Sequence, residues 1–151
     1  MGYIKPLNEI QLSDQVATGA KAAHLGELIH AGFNVPHGFS ISAEAYCDGI
    51  AHPLNAKIVA RIAASEIDDP VELEAAAEEI RAWIESAPMP VTCVDEIRSA
   101  LAALGSESFA VRASRVVEDV PNPAASGLQQ AFLGVVGLNA VLKTIRLCWS
   151  S

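Results

Sequence analysis

The segment Phe109-Ala110-Val111-Arg112-Ala113-Ser114 sets an arginine into an otherwise apolar strand. Side chains alternate across a strand, so Phe109, Val111 and Ala113 share one face while Ala110, Arg112 and Ser114 share the other. A fold that buries the first face leaves Arg112 pointing away from the core. A guanidinium there stays charged at any physiological pH and offers a planar fork for phosphate or carboxylate oxygens. The same arginine could instead form a structural ion pair with Glu118 or another carboxylate, and the segment alone leaves both uses open.

A second segment runs from Thr18 to Leu28. Ala22, Leu25, Leu28 and Ile29 recur there at helical spacing and Gly32 supplies a stop. Lys21 falls in the first turn, where a cation opposes the helix dipole by roughly 0.3–1 kcal/mol. An exposed lysine carrying that small penalty is one reading. The other is a phosphate site, because helix starts with unbonded N–H groups, a glycine and a lysine bind phosphates.

The remaining chain reads as alternating helices and short strands. Asn34 to Ser42 is expected to be a strand, and Ser42 to cap a helix carrying Ala45 and Tyr46. Residues 54–64 form a separate helix through Ile58 and Ile62. Asp69-Pro70-Val71-Glu72 is a strong helix start, with Asp69 as cap, Pro70 in the first position and Glu72 placed to complete a capping box. Leu73, Ala76, Ala77, Ile80, Trp83 and Ile84 line one face of that helix, a core stripe in which Trp83 packs rather than stacks on a base. Pro88 and Pro90 end it. Val94, Ile97, Leu101 and Leu104 mark the next helix, closed by Gly105; the Arg112 strand, a loop to Gly127 and a strand near Phe132 to Val136 follow. Leu138, Val141, Leu142, Ile145, Cys148 and Trp149 give the last helix a full apolar stripe.

The 151 residues suit one domain, spanning 1–151. Apolar residues make up 51% of them, and the mean hydropathy is +0.29. No apolar run approaches the ~20 residues of a membrane span. The excess apolar surface is expected to form an exposed face that normally meets a partner and that promotes self-association without one. A net charge of −8 argues against a nucleic-acid partner, which demands a basic surface. Lys21, Arg112, Arg115 and Arg146 can still make a local cationic cleft.

His24, His30, His37 and His52 lack the spacing of a metal site, and surface positions are expected for them. Cys47, Cys93 and Cys148 form no Cys-x-x-Cys pair and are expected to be buried thiols in a reducing compartment. The adjacent carboxylates of Glu118 and Asp119 fit a solvated loop or a pair with Arg115 better than acid–base catalysis. The reading assigns no catalytic residue and no metal ligand.

Four stretches occur in a family-like order: Tyr3-Ile4-Lys5-Pro6-Leu7; Gly19-Ala20-Lys21-Ala22-Ala23-His24-Leu25-Gly26-Glu27-Leu28 with Ala31 to Tyr46; Phe109 to Ser114 with Glu118-Asp119; and Ile145-Arg146-Leu147-Cys148-Trp149-Ser150-Ser151. Together they resemble the start of the nucleotide-binding domain of phosphoenolpyruvate synthase, pyruvate phosphate dikinase and rifampicin phosphotransferase. The resemblance implies an α+β (α/β) fold, the first lobe of an ATP-grasp-like domain with helices packed on a small mixed sheet. It also implies ATP as the ligand, with Lys21 and Arg112 on its phosphates and the loop from Ser114 to Gln129, including Gly127, covering them. Mg²⁺ is expected through a second lobe that lies outside this chain, as do the phosphoryl-accepting histidine and the acceptor site.

The match has departures. Ala124-Ala125-Ser126-Gly127-Leu128-Gln129-Gln130-Ala131 replaces a family loop of the Ser-Phe-Ala-Gly-Gln type followed by Asp-Thr. Ala20 stands where a glycine usually precedes the lysine, and Ala113 where a serine follows the arginine. Each change removes a donor, an acceptor or a close backbone approach, so weaker phosphate binding is expected. Half of a two-lobed clamp is not expected to catalyse phosphoryl transfer alone. The chain therefore reads as the ATP-binding lobe, a fragment or truncated homologue, of an ATP-dependent phosphotransferase of the pyruvate/water or pyruvate/phosphate dikinase type. The alternative is a stand-alone interaction or regulatory module that has lost nucleotide chemistry. The end of the chain directly after an apolar helix stripe is expected of a cut sequence, and a start without an apolar signal core of a cytoplasmic protein.

Overall fold

The structure is a computed structural model that describes residues 2–66, 68–114 and 131–151. Gly127, Gln129, Arg115, Glu118 and Asp119 lie outside the described residues.

The described part is α+β. Strand β1 (Ile4–Pro6) pairs antiparallel with β2 (Phe39–Ile41), and β3 (Ser108–Arg112) pairs antiparallel with β4 (Ala131–Val136). The expected single mixed sheet is thus corrected: among the described residues there are two separate antiparallel pairs. Side chains join them. Ile4, Phe39 and Ile41 from the first pair and Phe109, Val111 and Val135 from the second pack on one core of Ala45, Met89, Cys93, Ile97, Val141 and Ile145. Cys93 and Ile97 come from α6 (Val91–Leu104), and Val141 and Ile145 from α7 (Leu138–Ser150). The expected strand over 34–42 shrinks to Phe39–Ile41, since β1 offers only three residues to pair with and Pro36 has no N–H to donate.

Period-two alternation on β3 holds: Phe109 and Val111 face the core, while Ser108, Ala110 and Arg112 are exposed. Its partner β4 carries one extra residue between the Phe109–Val135 and Val111–Phe132 pairings. Gly134 lies in that stretch at φ +66°, a conformation that a bulge needs and that side chains disfavour.

After α1 (Gln15–Thr18), α2 (Ala20–His30) closes as expected at Gly32, whose N–H donates to Ile29, while that of Phe33 reaches back to Leu28. Its buried face differs from the expected one. Ala20, Ala22, Ala23 and Gly26 are buried and Leu28 is exposed. The reason is a close approach: a Cβ at Gly26 would lie 2.2 Å from the Ile10 carbonyl oxygen, so small residues must face this neighbour.

The two helices expected between Ser42 and Ala64 are one continuous helical run. It comprises α3 (Ala43–Tyr46), a π turn (Cys47–Ala51) and α4 (His52–Ala63). Pro53 cannot donate to the Gly49 carbonyl four residues back and its ring crowds that group; the wider turn, closed by His52 N–H to the Cys47 carbonyl, absorbs the conflict. Ser42 occupies the cap position, yet its hydroxyl makes no cap hydrogen bond. Ile62 is exposed rather than in the core, and α4 buries no residue.

Leu54 packs on the buried Ile50, Ile84 and Ala87, and polar contacts tie the rest of α4 to its neighbour. Arg61 donates from Nη1 to Glu72 at 2.9 Å and from Nε to Glu79, both on α5 (Pro70–Ser86), and Lys57 Nζ lies 3.7 Å from the centre of the Trp83 ring. Asp69 caps α5 as expected by accepting from the Val71 and Glu72 amides. The expected capping box is not completed, since the Glu72 carboxylate turns to Arg61 instead. On the expected α5 stripe Ala76 and Ile84 are buried, whereas Leu73 is exposed.

Gly26→Ala tests the α2 contact. Helix propensity alone would stabilise the protein by about 0.8–1 kcal/mol. Overpacking against the Ile10 carbonyl costs about 1–3 kcal/mol and is expected to win. A urea melt should show a lower midpoint, and a raised midpoint would mean that the contact yields.

Candidate functional site

The end of β3 and the start of α2 meet through Gly19 and Ser114. Gly19 links α1 to α2 with φ +82°, a conformation open to glycine and strained for other residues. It also faces a wall: a Cβ there would lie 2.3 Å from Ser114 Oγ and 2.4 Å from the Ser114 carbonyl oxygen. With glycine at its cap position, α2 has no side-chain cap of its own. Ser114 Oγ supplies the missing acceptor, taking the N–H of Ala22 at 3.1 Å from 92 residues away. The turn is anchored from behind by Ser40, whose hydroxyl donates to the buried Thr18 carbonyl at 3.2 Å.

This junction carries two of the expected cations. Lys21 precedes the bonded Ala22 amide, and Arg112 stands two residues before Ser114, so both side chains leave the backbone within a few residues of the contact. Lys21 is half-buried and engaged with a neighbour, not the exposed lysine of the simpler reading. Arg112 is exposed, and no carboxylate among the described residues lies within ion-pair distance of it. A pairing with Glu118 falls outside the described residues. Ser114 is half-buried at the junction itself; Gly127 and Gln129, expected to complete the phosphate loop, fall outside the described part.

Arg146, the other expected contributor within the described part, sits on α7 with its Nε buried and without a hydrogen-bond partner among the described residues. No described hydrogen bond or ion pair joins it to the α2–β3 junction. The outer face of the β3–β4 pair, where Arg112 and Ser108 stand, also exposes the apolar Ala110, Ala131, Leu133 and Val136, Leu133 at 79%.

The other sequence candidates carry no site. All four histidines are exposed, and no cluster of His, Cys, Asp or Glu among the described residues could hold a metal. Cys93 is buried as expected, whereas Cys47 and Cys148 are only partly so. Burial pushes the Cys93 thiol up to about 11, with the Glu96 charge adding to it, and raises that of Cys148 as well. An open groove lined by Tyr3, Asp48, Lys57, Trp83, Met89 and Pro90 lies along α4 and α5. Neither Lys21 nor Arg112 lines it.

A family model, the pyruvate phosphate dikinase AMP/ATP-binding domain, matches residues 15–151. The chain belongs to this family. It is 34% identical to phosphoenolpyruvate synthase of Deinococcus radiodurans over 100% of the chain and 20% of that protein, and 34% identical to phosphoenolpyruvate synthase of Escherichia coli over 95% of the chain and 19% of that protein. Rifampicin phosphotransferase of Streptomyces sviceus is 35% identical over 99% of the chain and 18% of that protein. The chain thus spans about one fifth of the length of the curated relatives it matches. The AMP/ATP-binding domain assignment agrees with the nucleotide ligand that the family resemblance implies. Among the described residues, no helix is long and apolar enough to cross a membrane.

Because its folded thiol is held protonated above the usual range, Cys93 should resist alkylation at pH 8 until the protein unfolds. The unfolded chain releases that proton first, so the contribution of Cys93 to stability should be constant below about pH 9 and decline as pH rises from there to about 11. Thiol labelling with and without urea, and melts across that window with Cys93→Ala as control, check both.

Proposed function

We propose that the chain is the ATP-binding first lobe of a phosphotransferase of the phosphoenolpyruvate synthase and pyruvate phosphate dikinase type, with an ATP-grasp-like fold. The observation that carries this reading is the Gly19–Ser114 contact, which brings the Lys21 turn of α2 against the Arg112 end of β3 in a family described by AMP/ATP binding.

The residues fit the group. A triphosphate supplies densely charged oxygens, and this junction supplies an ammonium and an exposed guanidinium that meets no carboxylate among the described residues. Lys21 would act as a point charge and Arg112 as a planar fork on phosphate oxygens. With the Ala22 amide taken by Ser114, the two side chains carry the binding rather than an open helix start. When bound with Mg²⁺, ATP supplies the phosphoryl group that such enzymes transfer. This lobe's residues hold and orient that group; no cluster among the described residues could hold a metal and this reading assigns none of them as base or nucleophile, so the lobe alone is proposed not to turn over.

The remainder of the clamp, with its metal ligands and acceptor site, is proposed to be supplied by further domains. The exposed Ala110, Leu133 and Val136 beside Arg112 make the outer β3–β4 face the proposed meeting surface, or a self-association surface in their absence. A cytoplasmic setting is proposed with it.

Calorimetric titration with ATP and Mg²⁺ tests the reading. ATP at 100 times its dissociation constant should stabilise the protein by about 2.7 kcal/mol in a melt. Arg112→Ala should weaken binding about tenfold or more without lowering the ligand-free melting temperature, because the side chain is exposed. Lys21→Ala should weaken binding as well. A wild-type chain that stays silent both alone and with the rest of such an enzyme added in trans would favour the module that has lost nucleotide chemistry.

A further inference from the structure

We propose that Ser114 is a positioning residue: its hydroxyl caps α2 across the fold and thereby sets Lys21 in register with Arg112. The role rests on the nucleotide reading above and differs from a phosphate contact in the covering loop, the place that the family resemblance implies for this serine.

Three observations converge on it. The first turn of α2 lacks a local cap, because Gly19 has no side chain to offer. Its third amide, that of Ala22, is bonded to Ser114 Oγ at 3.1 Å, the geometry of an ordinary cap delivered from another element. Gly19 meanwhile lies so close to both the hydroxyl and the carbonyl of Ser114 that no side chain fits between them. The helix start is thus held at two points on one residue: a hydrogen bond at Ala22 and van der Waals contact at Gly19.

Lys21 lies between those two points in the chain, and Arg112 lies two residues before Ser114 on the strand that ends there. One contact therefore fixes the separation of the two cations. A lysine side chain has many rotamers and a compact charge, so its reach to a shared phosphate depends on where its Cα is held. Without the hydroxyl, the Ala22 amide turns to water and the first turn of α2 is released from β3. The loss is then felt at Lys21 before it is felt at the core, because Phe109, Val111 and the α7 residues pack independently of Ser114.

The experiment has two arms on the 151-residue chain. In the first, amide hydrogen exchange by NMR is followed without nucleotide. The Ala22 amide should be protected in the wild type, and Ser114→Ala should lower that protection about tenfold while leaving amides of α6 and α7 unchanged. An unprotected Ala22 amide in the wild type overturns the cap. In the second arm, ATP with Mg²⁺ is titrated into wild type, Ser114→Ala, Ser114→Thr, Lys21→Ala and the Ser114→Ala/Lys21→Ala double variant. Losing the hydroxyl should weaken ATP about five- to tenfold, the size of one cap. Ser114→Thr should recover most of that loss. In the Lys21→Ala background, removal of the hydroxyl should change affinity less than twofold, because its effect passes through Lys21.

Losses that multiply would overturn the proposal, since they show a serine that touches the nucleotide itself. A wild-type chain that binds no ATP in the second arm, either alone or with the rest of such an enzyme added in trans, removes the nucleotide reading and this role with it, while the first arm still reports whether the cap exists. Should Ser114→Ala fail to fold, Ser114→Gly and Ser114→Thr give the same comparison, and Ser114→Gly binding ATP as tightly as wild type would likewise overturn it.

Discussion

The alternation of β3 governs the rest of the molecule. Phe109 and Val111 enter the core beside Cys93, Ile97, Val141 and Ile145, which clamps the strand between α6, α7 and the β1–β2 pair. The same period of two turns Arg112 outward, and the strand ends two residues later against α2. Burial of one face thus fixes what the other face and the strand end can reach. Arg112 need not be buried: desolvating an arginine is costly, and here the apolar neighbours on β3 carry the packing while its guanidinium stays wet.

The second constraint is closeness of backbone. Gly19 and Gly26 each sit where a Cβ would collide, the first with Ser114 and the second with the Ile10 carbonyl, and they bracket the small-residue face of α2. A helix held this tightly by its neighbours has little freedom in its first turn, and that turn carries Lys21. The α4–α5 hairpin is held differently. Arg61 bridges Glu72 and Glu79, Lys57 covers Trp83, and no α4 side chain is buried. Ion pairs at this exposure contribute modestly, so the apolar contacts of Leu54 and Ile84 with Ile50 and Ala87 carry most of what ties the hairpin down.

Much of this was legible in the chain. Asp69-Pro70 marked a helix start, Gly32 and Gly105 marked helix ends, and the stripe of α7 packs where its period placed it. Those are local signals, each set by residues within a turn of one another. What misled were cases where a distant partner outbid a local one. Glu72 chose Arg61 over its own helix start, and Leu28 gave way to Gly26 because a carbonyl came close. The helix expected over 54–64 proved to continue from α3 through a widened turn before Pro53.

For the candidate site, the sequence by itself determined which side chains are on offer: a lysine in the first turn of a helix, an arginine on the outer face of a strand, and an order of motifs that resembles AMP/ATP-binding domains. The first two follow from side-chain identity and from periods of 3.6 and 2, which need no knowledge of the fold, and the third from resemblance alone. Only the tertiary structure decided that the two cations share a junction, and that Ser114 spends an acceptor on the Ala22 amide 92 residues away. That pairing has no local signature, because a hydrogen bond between an amide and a hydroxyl depends on where two chain segments meet and not on how far apart they lie in sequence.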